Sequence, residues 1–281
     1  MAPRSITDTL TLAGSVKIPQ LGFGVYQSPT DVCVKSSLTA LEAGYRHIDT
    51  AQFYANEKEV GQAVQQSGIP RKDIFLTTKI LIPAGSAEKS YEKCAESVKL
   101  LDPETGYVDL FLIHSPNGGK DARKEMWQAL ERLHEEGKAK SIGVSNFGIK
   151  HIEELKQFAK VWPPHANQVE LHPWLQQKEI VEYCEKNGIA VEAYCPLVRN
   201  KKSEDETLVG IAKKHSVTPH QVLIRFCLEK NWIPLPKSDT PSRIKANADV
   251  FGFELDEEDL KALNGLDQGP EGAIVQAVDN Y

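Results

Sequence analysis

The chain has 281 residues, of which 41% are hydrophobic and 26% charged, the balance of a soluble globular protein with a sizeable core. Its net charge of −6 excludes a basic surface field, so neither nucleic acid nor an anionic membrane is predicted as a partner. Five cysteines lie far apart without a C-x-x-C pair, which argues against a disulfide framework or a zinc ribbon and indicates a reducing compartment.

The first predicted element is a small hairpin. Thr9–Leu12 and Val16–Ile18 are short β-type runs on either side of a turn at Ala13–Ser15. Beyond it, eight β-type runs alternate with stretches whose apolar residues recur about every 3.6 positions, the period of an amphipathic helix. The eight runs are Gln20–Gly24, Arg46–Asp49, Ile74–Lys79, Val108–His114, Ser141–Ser145, Asn167–Glu170, Ala190–Tyr194 and Trp232–Pro236.

Glycine and proline mark the ends of the helical stretches. A glycine directly after such a stretch predicts a left-handed C-terminal cap, and a Thr-Pro pair predicts a helix that begins with proline in its first turn. The glycines are Gly44, Gly68, Gly137 and Gly188, and the pairs are Thr218-Pro219 and Thr240-Pro241.

Eight alternations in a chain of this length predict the α/β class and a closed (β/α)8 TIM barrel. We expect one domain over residues 1–281, with an N-terminal β-hairpin and a short C-terminal tail. A doubly wound open sheet is the alternative. It is disfavoured because Gly22-Phe23-Gly24 lacks the third glycine of a dinucleotide-binding fingerprint.

Polar residues at the C-terminal ends of barrel strands face one common mouth. We therefore expect that mouth to collect a carboxylate, a phenol, an ammonium and an imidazole. In chain order, the polar strand ends are Asp49 with Tyr54 just beyond it, Lys79, His114, Ser145-Asn146, Gln168 with Glu170, Tyr194, and Lys237-Ser238.

Four of these side chains make chemical sense together as a proton donor. A tyrosine has a pKa of ~10, too high for ready proton transfer near neutral pH. A nearby lysine lowers the pKa of the phenol by stabilising the phenolate, and a carboxylate keeps that lysine charged. An imidazole can then donate a hydrogen bond to a carbonyl oxygen that becomes negative. The pattern of Asp49, Tyr54, Lys79 and His114 favours carbonyl reduction.

A second pattern points to a phosphate. The helix predicted to begin at Thr240-Pro241 offers free amides and a dipole that favour anions. Lys237, Ser238 and Arg243 cluster at this helix start, and Asn247 lies one turn later on the same face. This arrangement suits a phosphate monoester.

Three segments resemble the signatures of the aldo-keto reductase family. They are Gly44–Ala51 with Tyr54, Lys140–Phe147, and Leu235–Ser238 with Arg243 and Asn247. The resemblance runs over nearly the whole chain in family order. It implies the (β/α)8 fold, NADPH/NADP+ as cofactor, and a catalytic tetrad in which Tyr54 is the general acid. In that tetrad Lys79 and Asp49 tune the phenol and His114 orients the carbonyl.

The resemblance also implies the binding residues. Tyr194 would stack on the nicotinamide ring, with Ser145, Asn146 and Gln168 on its carboxamide. The 2′-phosphate of NADPH would lie at the phosphate pattern just described. Together with His114, the substrate pocket would be lined by Tyr26, Phe53, Leu81 and Ser115.

Several positions depart from the family pattern. Leu81 and Ser115 stand where many members carry tryptophan, and both the loop after Pro196 and the C-terminal tail are short. We therefore expect an open pocket without two of the usual lids. Cys195 replaces a frequent serine and is interpreted as a small buried residue, and Ala246 replaces a glutamate that contacts the adenine.

Two other functions are considered. A cofactor-binding regulatory subunit of the same superfamily would share the tetrad and turn over slowly. A Schiff-base aldolase would use Lys79 as nucleophile, which requires a neutral lysine that Asp49 would keep charged. No H-x-H or H-E-x-x-H motif predicts a metal site, and no apolar run approaches the ~18 residues of a membrane span. We expect a cytoplasmic monomer acting on a small carbonyl substrate.

Overall fold

A short antiparallel hairpin precedes the barrel in the computed structural model, which describes residues 4–275. Strand β1 (Thr9–Thr11) pairs with β2 (Lys17–Pro19), and a 3-10 turn at Ala13–Ser15 connects them, as predicted. Leu12 and Ile18 are buried among inward-facing barrel side chains. The hairpin therefore packs its apolar residues against the N-terminal end of the barrel.

Eight parallel strands follow, each paired with the next one along the chain. The last strand returns to the first and closes the sheet. The Gly22 amide donates to the Pro234 carbonyl and the Gly24 amide to the Pro236 carbonyl, both at 3.0 Å. The predicted (β/α)8 barrel is confirmed. Its strands are β3 (Phe23–Gly24), β4 (His47–Asp49), β5 (Phe75–Ile80), β6 (Val108–Ile113), β7 (Ala139–Ser145), β8 (Ala166–Glu170), β9 (Ala190–Tyr194) and β10 (Ile233–Pro234).

The closing strands β3 and β10 are shorter than the predicted runs Gln20–Gly24 and Trp232–Pro236, and the chain is crowded where they meet. A Cβ atom on Gly22 would lie 2.5 Å from the Leu235 side chain, so only glycine fits at that position. The same crowding brings Gly24 beside Lys237, where the two backbones form an isolated parallel bridge. The sequence thus uses small residues at the seam of the barrel.

Helices cover the outside of the sheet with their apolar faces. They are α1 (Thr30–Glu42), α2 (Glu57–Gln66), α3 (Ala87–Leu101), α4 (Gly119–Glu135), α5 (Ile149–Leu155), α6 (Lys178–Lys186), α7 (Glu206–His215), α8 (Pro219–Glu229), α9 (Pro241–Ala248) and α10 (Glu257–Asn264). The four predicted capping glycines all have positive φ, and the Thr218 side chain caps α8. Thr240 precedes α9 as predicted, but its side chain makes no capping bond.

Residues two apart along a strand face the same side, so one face of each strand fills the barrel. Near the hairpin these inward residues are apolar and include Phe75, Leu110 and Ile233. Toward the C-terminal ends of the same strands they become polar and buried, as at Asp49, Lys79 and Gln168. The change places the polar side chains together at one mouth.

Candidate active site

The centre of the mouth is a buried lysine on β5. Lys79 has 0% exposed surface, and its Nζ donates to Asp49 Oδ1 at 2.6 Å, to the Thr50 carbonyl at 2.9 Å and to the Tyr54 hydroxyl at 3.3 Å. Asp49 ends β4, and Tyr54 ends the 3-10 turn that follows it, where left-handed Ala55 reverses the chain. The loop after β4 therefore presents the phenol to the lysine of the neighbouring strand.

His114 directly follows β6 and completes the predicted set of four. Its ring lies 5.5 Å from the Tyr54 ring, centroid to centroid, at an interplanar angle of 76°. Burial, together with the charge of Lys79, lowers the pKa of His114 to about 3. The imidazole is therefore neutral at physiological pH and carries one N–H.

The charges at this centre do not all behave as the sequence suggests. Burial opposes the charge on Lys79, but Asp49 and Tyr54 outweigh it, so the pKa of Lys79 lies above its usual value. Burial raises the pKa of Tyr54 above its usual value, and the attraction of Lys79 compensates only in part. Lys79 therefore lowers the pKa of Tyr54 as the sequence predicts, but the net shift is upward because desolvation, which the sequence argument left out, is the larger contribution.

Four predicted cofactor residues lie beside this centre. Gln168 Nε2 donates to Asp49 Oδ2 at 2.8 Å, and Ser145 Oγ donates to the Gln168 carbonyl at 2.8 Å. Asn146, in the left-handed conformation with φ of 62°, accepts a hydrogen bond from the Tyr194 hydroxyl at 2.8 Å. Each of these side chains lines the cavity described next.

The mouth opens into a cavity of about 650 Å³. All the predicted substrate residues line it: Tyr26, Phe53, Leu81, His114 and Ser115. The loop after β9 and the end of the described chain line it as well, through Pro196, Leu197, Arg199 and Val275. Both of the segments that the sequence predicts to be too short to act as lids therefore border the cavity. The remainder of the predicted tail lies outside the described residues.

The predicted phosphate residues lie at the edge of this mouth. Lys237 lines the cavity, whereas Arg243 is exposed on the first turn of α9 and Asn247 is buried on its second. Ser238 Oγ accepts a hydrogen bond from the Thr240 amide at 3.1 Å. Lys237 forms an ion pair with Asp239, a neighbour that sequence reasoning did not consider.

Comparison with known proteins identifies the family. The sequence model of the aldo/keto reductase family matches residues 27–268. The chain is 40% identical to glyoxal reductase of Bacillus subtilis over 270 residues, which cover 95% of each protein. The chain belongs to the aldo/keto reductase family.

Solved structures of aldo-keto reductases have the same fold. An aldo-keto reductase from a Medee basin deep-sea metagenome library is 44% identical and superposes with a TM-score of 0.89, covering 93% of this chain and 96% of that one. One from Bombyx mori, in complex with NADP, is 31% identical with a TM-score of 0.87 and covers 100% and 99% of the two chains.

Membership makes this aldo-keto reductase an NADP-dependent oxidoreductase that acts on carbonyl groups. The charge state of Lys79 agrees with this activity and disfavours the aldolase alternative. A Schiff base forms on a neutral lysine, whereas Asp49 keeps this one protonated. Cys195, interpreted from the sequence as a small buried residue, is instead half-buried and lines the cavity. Partial burial raises its pKa to about 12, which keeps the thiol protonated near neutral pH.

Of the two inward-facing acids of the reductase, sequence reasoning named Glu170 only as a polar strand end and missed Glu192. Glu192 accepts from Gln168 Nε2 at 3.2 Å, and burial together with the charge of Asp49 raises its pKa to about 8. Glu170 is buried at the end of β8. Their signal was available, since Glu192 lies two residues before Tyr194 and Glu170 two after Gln168, on the face that fills the barrel.

Residues 4–275 of the reductase contain neither a grouped metal site nor a membrane-spanning helix. Within that range, no three His, Cys, Asp or Glu side chains are grouped so that they could hold a metal ion. Over the same stretch of chain, no helix combines the length and apolar character required to cross a membrane.

Proposed function

We propose that this aldo-keto reductase uses NADPH to reduce aldehydes and ketones to alcohols, with Tyr54 as the proton donor. One observation carries the proposal: Tyr54 lines a cavity large enough for a small organic substrate, and its hydroxyl lies 3.3 Å from the charged, fully buried Lys79. The whole chain would act as one barrel domain.

The proton transfer follows from the surroundings of Tyr54. Because burial raises the pKa of the phenol, Tyr54 stays protonated near neutral pH until a substrate oxygen becomes basic. The phenolate that then forms lies against the Lys79 ammonium, which Asp49 holds at 2.6 Å. The attraction is strongest when the negative charge appears, so it favours the transition state over the ground state.

His114 would orient the substrate. A neutral imidazole has one N–H, and its neighbours are the Tyr54 ring on one side and the Phe53 ring, 6.3 Å away, on the other. A donor placed beside the phenol can stabilise the negative charge that develops on a carbonyl oxygen. Tyr54 and His114 would thus contact the same oxygen.

The residues present fit NADPH, which supplies a hydride to the carbonyl carbon when bound. Asp49 and Glu192 both accept from the amide nitrogen of Gln168, which leaves its oxygen as an acceptor for a carboxamide. Ser145, Asn146 and the Tyr194 ring line the same side of the cavity. The 2′-phosphate would be held at the start of α9 by Lys237, Ser238, Arg243 and Asn247.

The substrate would be a small or medium-sized carbonyl compound. Leu81 and Ser115 line the cavity near His114 and leave more room than a tryptophan would. A relative that is 40% identical is named for glyoxal, a small dicarbonyl, which supports the same substrate class here. Shape alone discriminates by only ~1–3 kcal/mol per methylene-sized difference, so we expect a broad substrate range.

Replacing Tyr54 with phenylalanine tests the proposal. Tyr54→Phe should lower kcat by ~10²–10⁴-fold, the usual contribution of general acid catalysis, while NADPH affinity is almost unchanged. The measurements are steady-state reduction of an aldehyde and a fluorescence titration with NADPH. Tyr26→Phe is the matched control, because its ring lies 4.9 Å from the Tyr54 ring but its hydroxyl has no proposed role.

Two results would contradict the proposal. If Tyr54→Phe keeps most of the wild-type kcat, another group donates the proton. If the wild-type chain binds NADPH tightly but reduces no carbonyl in a broad screen, the regulatory alternative is favoured instead.

A further inference from the structure

The chain after α10 returns to the barrel mouth and is tied down along the way. Asp267 Oδ1 accepts from the Gln176 amide at 3.2 Å, and the Gln268 amide donates to the Trp174 carbonyl at 2.9 Å. At Gly272 the contact is so close that a Cβ would lie 1.8 Å from the Trp174 carbonyl oxygen. The described part of this segment runs to Val275, which lines the cavity.

Glu170 receives the end of that path. Its side chain is 4% exposed, and its two carboxylate oxygens accept from successive backbone amides, Oε1 from Ile274 at 2.6 Å and Oε2 from Val275 at 2.9 Å. His172 lies 2.9 Å from Oε1 through its Nε2. The two bonds from Ile274 and Val275 join residues more than a hundred positions apart in the chain.

A buried carboxylate is unfavourable unless hydrogen bonds replace its lost water. Glu170 obtains two of these bonds from the backbone of the C-terminal segment. His172, the remaining contact, is itself held in place, since its backbone pairs in both directions with Leu175. Two of the three side-chain contacts of Glu170 therefore depend on Ile274 and Val275 lying against it, and the same two bonds hold the segment in place.

The location of this contact relates it to substrate binding. Glu170 lies two residues after Gln168 on β8 and pairs in register with Tyr194 on β9. Val275 lines the same cavity as Gln168 and Tyr194, and it is not among the hydrogen-bond partners of Lys79. The segment held by Glu170 therefore borders the cavity in which cofactor and substrate would lie.

We propose that Glu170 is a positioning residue for substrate selection: by binding the Ile274 and Val275 amides it fixes Val275 as part of the cavity wall and so limits the size of carbonyl substrates that the reductase accepts. We call Glu170, Ile274 and Val275 the C-terminal latch. The selection role rests on the proposed carbonyl reduction, whereas the anchoring of the segment can be measured without any turnover.

Three variants test the latch. Glu170→Gln keeps the size of the side chain but turns one acceptor into an NH2 group that faces a backbone N–H. Val275→Pro removes one donated hydrogen and leaves the barrel unchanged. Val275→Ala alters the side chain and keeps the amide, so it is the matched control for the loss of the hydrogen bond in the exchange measurement.

Amide hydrogen exchange measures how firmly Glu170 anchors the C-terminal segment. The Ile274 amide should exchange about tenfold faster or more in Glu170→Gln and Val275→Pro than in wild type or Val275→Ala, since a hydrogen bond to a charged group is lost. Thermal unfolding of each variant establishes that the barrel is intact. Unchanged exchange in Glu170→Gln would overturn the latch, whatever the enzyme does with carbonyls.

Steady-state kinetics measure how the latch affects the selection of substrates by size. In both latch variants the ratio of kcat/KM for a bulky aldehyde to that for a small one should rise about fivefold or more, mainly through KM, with NADPH affinity unchanged. The double variant should change the ratio no more than either single variant, because both break one contact. Faster exchange with an unchanged ratio would overturn the selection role. Absence of all carbonyl turnover in wild type would overturn the proposed function, and exchange would then still decide the latch.

Discussion

The two ends of the barrel mouth differ in how strongly the fold fixes their charged side chains before a ligand binds. At the reacting centre, Lys79 is fully buried and holds Asp49 and Tyr54 by direct hydrogen bonds. At the start of α9, Arg243 is exposed and Lys237 is about one-third exposed and paired with Asp239. One end is organised by the fold and the other is accessible to solvent.

The difference has a physical origin. Interactions between charges are strong where water is excluded and weak where solvent screens them. The reacting centre needs a fixed arrangement, because reorganising it during the reaction would add to the barrier. A phosphate site can instead rely on cations that keep their mobility until an anion neutralises them. Four predictions test this contrast.

The largest effect is expected when the buried ion pair is broken. Lys79→Met should lower the free energy of unfolding by about 3–5 kcal/mol, because Asp49 is left charged and buried without its partner. The equivalent change at the other end, Lys237→Met, should have an effect of less than ~1 kcal/mol. Urea unfolding of both variants provides the measurement.

A double variant separates stability from catalysis at the same centre. Lys79→Met combined with Asp49→Asn should recover part of the lost stability and none of the activity, because the buried charge is gone but no cation remains to stabilise the phenolate. If Lys79→Met and Lys237→Met destabilise the protein equally, the contrast between the two ends is wrong.

The second prediction concerns Arg243 and the cofactor. Arg243→Ala should weaken NADPH binding by about tenfold or more, since a charge-assisted hydrogen bond to phosphate contributes ~1.5–3 kcal/mol. NADH binding should hardly change, because NADH lacks the 2′-phosphate. Fluorescence titrations with both cofactors test this, and an equal loss for the two would show that Arg243 does not recognise that phosphate.

The third prediction uses pH. His114 has a pKa of about 3 in the fold, whereas an unfolded histidine titrates at about 6.5. Between these values only the unfolded chain binds the proton, so stability is complete above about pH 6.5 and is lost as the pH falls toward 3. His114→Gln should therefore reduce the slope of unfolding free energy against pH, between about pH 4 and 6, by about 1.4 kcal/mol per pH unit.

His220 is the control for that slope at the more exposed end. Burial and the charge of Arg243 lower the pKa of His220, but this residue is only half-buried. His220→Gln should change the slope less than His114→Gln does. Equal slopes in wild type and His114→Gln would mean that the imidazole is not held neutral by the fold.

The smallest effect is expected at Asp239. Its Oδ1 accepts from Ser28 Oγ at 2.6 Å and from Ser36 Oγ at 3.1 Å, and its charge pairs with Lys237. Asp239→Asn keeps an acceptor for the serines and frees the lysine, so NADPH affinity should rise by ~0.2–1 kcal/mol, or up to about fivefold. A fall in affinity would indicate that Asp239 orients Lys237 for the phosphate.

The barrel and its polar mouth were predictable from local patterns. Apolar runs that end at Asp49, Lys79 and His114 mark strand ends, and parallel strands of one barrel must bring those ends together. Cap glycines such as Gly44 were equally readable, because a positive φ is a local requirement. Each of these features can be recognised from a pattern of residues within a short stretch of sequence.

Features that depend on distant partners were not predictable in this way. The direction of the Tyr54 pKa shift depends on how much of the barrel buries it, which outweighs the one lysine that the sequence indicates. Glu170 bonds to Ile274 and Val275 only because the chain after α10 returns to the mouth. Desolvation and long-range contacts are properties of the closed barrel as a whole. The sequence by itself therefore determined which polar residues lie at the mouth of the barrel. Only the tertiary structure decided the direction of their pKa shifts, their hydrogen-bond partners and the residues that line the cavity around them.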